Sequence, residues 1–211
     1  MRRLPVYFLL DTSGSMYGEP IQALNNALSG MINTLRADAQ ALDSLWISIV
    51  TFDRAVNELV PLTELAAFQL PEITCPQSGP THTGMALEML HSKVINEVKK
   101  GNENQKGDWK PLLFLFTDGK PSDLMLYKEM VPKIKNLNFG AIVCCAAGNL
   151  ADDTLLKELT NDVVHLDTAD SYTLKQFFKW VSETIEQGNK SQGTGETIAL
   201  PPPPSEINLV I

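Results

Sequence analysis

Two long apolar runs, each closed by acid, hydroxyl and glycine, set the pattern of this chain. Val6-Tyr7-Phe8-Leu9-Leu10 stops at Asp11-Thr12-Ser13-Gly14-Ser15, and Leu112 to Phe116 stops at Thr117-Asp118-Gly119. An unbroken apolar run bounded by turn-formers predicts a strand buried on both faces, as in a parallel sheet covered by helices. Both acidic loops then sit at the carboxyl ends of their strands, where open α/β sheets hold ligands.

Helical spacing follows each strand. Ile21, Leu24, Leu28, Met31, Ile32 and Leu35 predict a core-facing helix of about four turns, with Pro20 in its first turn behind Glu19. Leu45 to Phe52 is rich in β-branched and aromatic residues. Asp53-Arg54 then offers a turn into Ala55 to Leu62, an antiparallel partner at a sheet edge that Pro61 suits. Residues 63–80 are loop-rich and close at Thr81-His82-Thr83-Gly84. A helix carrying Leu87, Leu90, Val94 and Val98 comes next, with Thr83 as its cap. Gly101 to Lys110 reads as an exposed loop. Leu126, Met130, Ile134 and Leu137 mark another helix, with Pro132 expected in its first turn or at a kink. Ala141 to Ala146 is a strand, Thr154 to Thr160 a short helix and Val163 to Leu166 a strand. The last helix, carrying Leu174, Phe177, Phe178, Val181 and Ile185, is capped by Asp170 or Ser171. This alternation predicts an α/β fold with a doubly wound, mostly parallel sheet and one antiparallel edge strand.

Composition narrows the picture. A chain of 211 residues, 44% apolar and without internal repeats, fits one α/β domain with a short appendage. From Gln187 the composition shifts to Gly, Ser, Asn and Thr, then to Pro201–Pro204, which predicts a flexible linker and a stiff spacer. That spacer either projects apolar Ile207 to Ile211 toward a partner or lets it fold back onto the domain. A net charge of -8 disfavours nucleic acid and anionic membrane surfaces as partners. Met1-Arg2-Arg3 opens like a signal peptide, but its apolar run ends at Asp11 with no small-residue cleavage site, and Phe139 to Ala147 is too short to span a bilayer. The expectation is a soluble cytoplasmic protein. Of three cysteines, Cys144 and Cys145 face opposite sides of one strand and Cys75 stands alone, which reads as structural thiols.

The candidate chemistry is a cation site. Asp11, Ser13 and Ser15 converge on one point if their loop stays roughly extended, and Thr81 and Asp118 join them from two other segments. Carboxylates and hydroxyls without Cys or His form a hard-oxygen set suited to Mg²⁺, Mn²⁺ or Ca²⁺ rather than zinc. Two carboxylates balance such an ion only formally, so it stays electrophilic and keeps exchangeable water that an incoming carboxylate can displace. Singly, each segment is only a turn or capping signal; their order makes the case. His82 is read as a rim residue, and Asp53, Asp152 and Asp153 as turn and helix-start residues.

The sets Asp-x-Ser-x-Ser at 11–15, Ser-Gly-Pro-Thr-His-Thr-Gly at 78–84 and Phe-Thr-Asp-Gly at 116–119 resemble the metal-ion-dependent adhesion site of von Willebrand factor type A domains. The passage from Tyr127 to Ile134 is similar to the helix after that family's last loop. The resemblance covers Leu4 to about Gln187. It implies a six-stranded sheet, residues 1–187 as the domain and 188–211 as a tail. It further implies one divalent cation, Mg²⁺ foremost, completed by an Asp or Glu carboxylate of a protein partner. Pro80 stands where the family usually has a second glycine. The opening Arg-Arg-Leu-Pro-Val and the Pro-rich tail resemble bacterial TerY- and YegL-like proteins linked to tellurium resistance and stress, which implies phosphatase or kinase-like partners. The alternative is a metal-assisted phosphohydrolase. Against it, no Gly-x-x-x-x-Gly-Lys or Gly-x-Ser-x-Gly motif occurs, and Ser13 stands where an aspartyl-phosphate mechanism would want aspartate.

Overall fold

The two long apolar runs become adjacent central strands. In a computed structural model describing residues 2–102, 104, 106–148, 151–191, 200–204 and 207–209, β1 (Leu4–Asp11) and β4 (Leu112–Thr117) are buried at every position. They pair in parallel from Val6↔Leu112 to Leu10↔Phe116, which brings the two acidic loops to the same end of the sheet. Outside β1 lie β2 (Leu45–Phe52), parallel, and then β3 (Val56–Glu64), antiparallel and half-exposed at the edge. Outside β4 lie β5 (Ala141–Ala147) and β6 (Asp162–Leu166), both parallel. The chain winds away from the centre in both directions, so the gap between the ends of β1 and β4 is a topological switch point.

Alternation along each strand divides the core in two. Val6, Phe8, Leu10, Phe114, Phe116, Val143 and Cys145 face one side, packed beneath α1 (Glu19–Arg36), α2 (Ala39–Ser44) and α6 (Ser171–Ser191). Tyr7, Leu9, Leu113, Leu115, Cys144 and Ala146 face the other, beneath α3 (Thr83–Glu97), α4 (Leu124–Lys135) and α5 (Asp153–Leu159). Cys144 and Cys145 are free and buried on opposite faces, and burial raises both thiols. Asp152 caps α5 and Asp170 caps α6 through backbone N–H groups. Among the described residues no helix is long and apolar enough to cross a membrane.

Several elements differ from the sequence reading. The turn α2 carries too few apolar residues to show a period; it is set by Asp38, whose carboxylate accepts from the Ala41 N–H at 2.9 Å. Pro132 lies inside α4 near its end rather than in its first turn, because the helix already starts at Leu124. Helix α6 runs past Gln187 to Ser191.

The sheet also gains a seventh strand. Residues Asn208–Leu209 form β7, antiparallel to β6 through His165↔Asn208 and Val164↔Leu209. Ile207 is buried in the core beside α6, and the indole N–H of Trp180 donates to the Pro201 carbonyl at 3.0 Å. The prolines thus run along the domain, and the apolar end, as far as Leu209, is held by the chain itself; Val210 and Ile211 lie outside the described residues. Since deleting buried aliphatic methyl groups costs roughly 2–5 kcal/mol, Ile207→Ala should lower the urea midpoint accordingly. An unchanged midpoint would show that the tail is not part of the folded unit.

Candidate metal centre

Asp11 ends β1 and is fully buried. Its two oxygens are already directed: Oδ1 accepts from the Ser13 N–H at 2.7 Å and Oδ2 from the Thr117 hydroxyl at 2.6 Å. The loop that follows is not extended. Gly14–Met16 form one 3-10 turn, with the Met16 N–H donating to the Ser13 carbonyl at 3.0 Å. This tighter turn brings the Ser13 and Ser15 hydroxyls within 3.1 Å of each other. Ser15 in turn donates to Asp118 Oδ1 at 2.8 Å, across 103 positions of sequence.

The third segment closes on the other two. The Ser78–Gly79 backbone passes so near Gly14 that a β-carbon there would lie 2.5 Å from the Ser78 α-carbon, which excludes any larger residue without movement. Thr81 is buried; its N–H donates to the Ser122 hydroxyl at 3.0 Å, and its carbonyl accepts from the Ser122 N–H at 2.8 Å. Its hydroxyl faces Gly119, where a β-carbon would stand 3.0 Å away. Hydrogen bonds thus link Ser13 to Asp11 and to Ser15, and Ser15 to Asp118, while Thr81 lies against Gly119, the residue after Asp118. His82 lies at the rim, with Nδ1 3.0 Å from the Arg54 carbonyl, and Asp53 serves its own turn by accepting from the Ala55 N–H.

Thr83 does not cap α3; it is the first helical residue, and its buried hydroxyl has no hydrogen-bond partner among the described residues. The cap comes from another element. The Asp123 carboxylate, just ahead of α4, accepts from the Gly84 and Met85 N–H groups at 3.0 and 2.8 Å. Asp123, Ser122 and Thr117 are the residues that sequence reasoning did not assign. Thr117 had a visible signal, a hydroxyl at the end of a buried strand beside Asp118. Asp123 and Ser122 act at long range and had none.

Electrostatically the site lacks a positive charge. Burial pushes the Asp11 carboxyl up to about 6, against the lowering pull of Thr117 and Ser13 and with a further push from Asp118. Burial also raises Asp118, opposed by Ser15. Among the described residues no cluster of three or more His, Cys, Asp or Glu forms a metal site, so this centre depends on hydroxyl oxygen as well as carboxylate. Two buried carboxylates with three hydroxyls and no cation fit a hard divalent ion.

The von Willebrand factor type A domain pattern matches residues 6–180. Proximal thread matrix protein 1 from the mussel byssus superposes with a TM-score of 0.68 at 18% identity, over 86% of this chain and 46% of that chain. A further structure of the mussel protein, described as having a zinc-occupied MIDAS motif, gives 0.62 at 16% identity, over 86% and 47%. A von Willebrand factor type A protein from Catenulispora acidiphila gives 0.67 at 16% identity, over 88% and 43%. This chain thus spans less than half the length of each, and identities this low establish the fold alone. Among curated proteins none matches in sequence.

The raised Asp11 carboxyl has a consequence for stability. Without a cation, the unfolded chain ionises near 3.8 and the folded one only near 6, so stability falls as pH rises through that window. The loss should be about 3 kcal/mol in chelator-treated protein. Denaturant titrations across the window should show this slope for the wild type and a shallower one for Asp11→Asn; equal slopes would refute it.

Proposed function

The chain belongs to the von Willebrand factor type A domain family, and on that premise we propose a metal-dependent protein-interaction module completed by a partner's carboxylate. Domains of this family often carry a metal-ion-dependent adhesion site that mediates protein interactions. The observation that carries the reading is the Ser15–Asp118 hydrogen bond, which joins the first and last motif segments at 2.8 Å. Asp11, Ser13, Ser15, Thr81 and Asp118 would hold the ion. Bound there, the ion supplies the positive charge that lets an acidic partner approach a site that is otherwise anionic.

The chain's own residues do the rest. Thr117 and the Ser13 N–H fix the Asp11 carboxylate, so little reorientation is left for binding. Asp123 pins the starts of α3 and α4 together beside the centre. Close behind the motif segments in sequence come Tyr17, Met85, Leu124 and Met125, four of the six large hydrophobic side chains exposed among the described residues, with Met125 at 91%. The partner this fits presents an Asp or Glu flanked by apolar side chains.

The donor set suits Mg²⁺, Mn²⁺ or Ca²⁺ alike, family likeness alone puts Mg²⁺ first, and zinc also accepts carboxylate oxygen. The opening Arg-Arg-Leu-Pro-Val and the Pro-rich tail support a place in a bacterial tellurite or stress-response complex, cytoplasmic, with a phosphatase or kinase-like partner. We propose no catalytic role. The sequence offers no Gly-x-x-x-x-Gly-Lys or Gly-x-Ser-x-Gly motif for a phosphohydrolase, and Ser13 stands where an aspartyl-phosphate mechanism would want aspartate.

Capture of partner proteins from the native host with Mg²⁺ and with EDTA should differ in at least one acidic partner. Asp118→Ala should abolish that capture, and Met125→Asp should weaken it about tenfold while leaving cation affinity unchanged. A partner retained equally in EDTA and by Asp118→Ala would overturn the proposal.

A further inference from the structure

At the opposite end of the sheet, where the central strands begin, lies a cleft of about 540 Å³ with an unusual charge for this protein. An apolar wall comes from Val94, Ile95 and Val98 at the end of α3, Leu137 after α4, and Trp109. Arg2, Lys99, Lys100, Lys106 and Lys110 surround it. With Asp108 of the same lining and Arg3 of the adjoining hollow included, the described lining residues carry a net charge of +5. The whole chain is -8, so the remainder carries -13.

This concentration is built rather than incidental. Arg2 donates to the Gly107 and Asp108 carbonyls at 2.7 and 2.9 Å and lies 3.5 Å from the centre of the Trp109 ring. Arg3 pairs with both oxygens of Asp108, at 2.9 and 2.5 Å, and Asp108 also accepts from the Lys99 N–H at 2.7 Å. The Trp109 N–H donates to the Arg3 carbonyl and the Asp108 N–H to the Lys99 carbonyl, both at 2.8 Å. The N-terminal arginines thus hold Gly107 and Asp108 in place and occupy the one carboxylate of the described lining. Among the described residues Lys99, Lys100, Lys106 and Lys110 make no ion pair, and all four are exposed.

Helix-end electrostatics accounts for part of this. Lys99 and Lys100 follow the carboxyl end of α3, where cations are favoured. It does not account for Lys106 and Lys110, which belong to no helix and point their charge at the same cleft. Nor does it account for Ile95, which stays 55% exposed on the cleft wall.

We propose that this cleft is a second docking surface, for an acidic segment of a protein partner that sets apolar side chains between α3 and Trp109 and carboxylates among the lysines. Dispersed lysines on an apolar wall match alternating acidic and apolar side chains. A free phosphate would want convergent N–H donors or Arg forks, but the guanidinium of Arg2 is held by carbonyls and that of Arg3 by Asp108. The surface stands apart from the metal centre and needs no cation.

The test uses the full chain in EDTA, with a short synthetic peptide of Glu-Glu-Leu repeats as the probe. Titration calorimetry should show binding that weakens at least tenfold between about 50 mM and about 500 mM salt. The combined Lys99→Glu, Lys100→Glu, Lys106→Glu and Lys110→Glu variant should lose it, while Asp118→Ala should keep it. In the wild-type chain, which removes any question of variant folding, bound peptide should protect these four lysines from acetylation. Absent binding, unchanged binding by the four-lysine variant, or protection elsewhere would overturn the proposal. So would stronger binding to duplex DNA or to phosphatidylserine vesicles than to the peptide.

Discussion

Two carboxylates at the end of one sheet are the constraint on which this protein's organisation turns. Asp11 and Asp118 are held in a low-dielectric gap where each charge disfavours the other. Such a pair is costly unless dipoles, protonation or a cation offset it. The fold supplies the dipoles: the Ser13, Ser15 and Thr117 hydroxyls and the Ser13 N–H. The parallel pairing of β1 with β4 is what makes the meeting possible. A different strand order would place either loop beside a covered edge instead of at the switch point.

How much of this the sequence showed depended on the range over which each cause acts. Strand burial is written locally, in runs such as Val6 to Leu10 and Leu112 to Phe116, and those strands stand where expected. Helices with a clear apolar stripe, such as the one carrying Leu24, Leu28 and Leu35, were equally legible. The site was legible because its chemistry sits in three short segments whose residue types are individually unremarkable and jointly specific.

What escaped detection was set by contacts between distant segments. The 3-10 turn at Gly14–Met16 results from packing against Ser78 and Gly79, so no local periodicity announced it. The start of α3 is capped by Asp123 rather than by its own threonine, a substitution visible only once α4 lies beside it. Lys93 is buried on α3 because Glu58 of β3 and Glu97 reach it, a pairing that no helix pattern reports. Composition left the tail's course open for a related reason. Proline runs imply a free spacer when read by composition, yet a proline carbonyl remains an acceptor, and Trp180 uses one.

The same architecture separates charge along the molecule. A strand of eight residues spans about 25 Å, several times the Debye length at physiological salt. The anionic centre and the cationic cleft therefore do not cancel one another, and each presents its own field to whatever approaches. Both helices that flank them, α3 and α4, have their amino ends at the acidic pole and their carboxyl ends at the basic one. Each pole thus receives the side-chain charge that the helix ends favour. The two poles also differ in kind: two buried carboxylates among hydroxyls at one, and exposed lysines beside an apolar wall at the other.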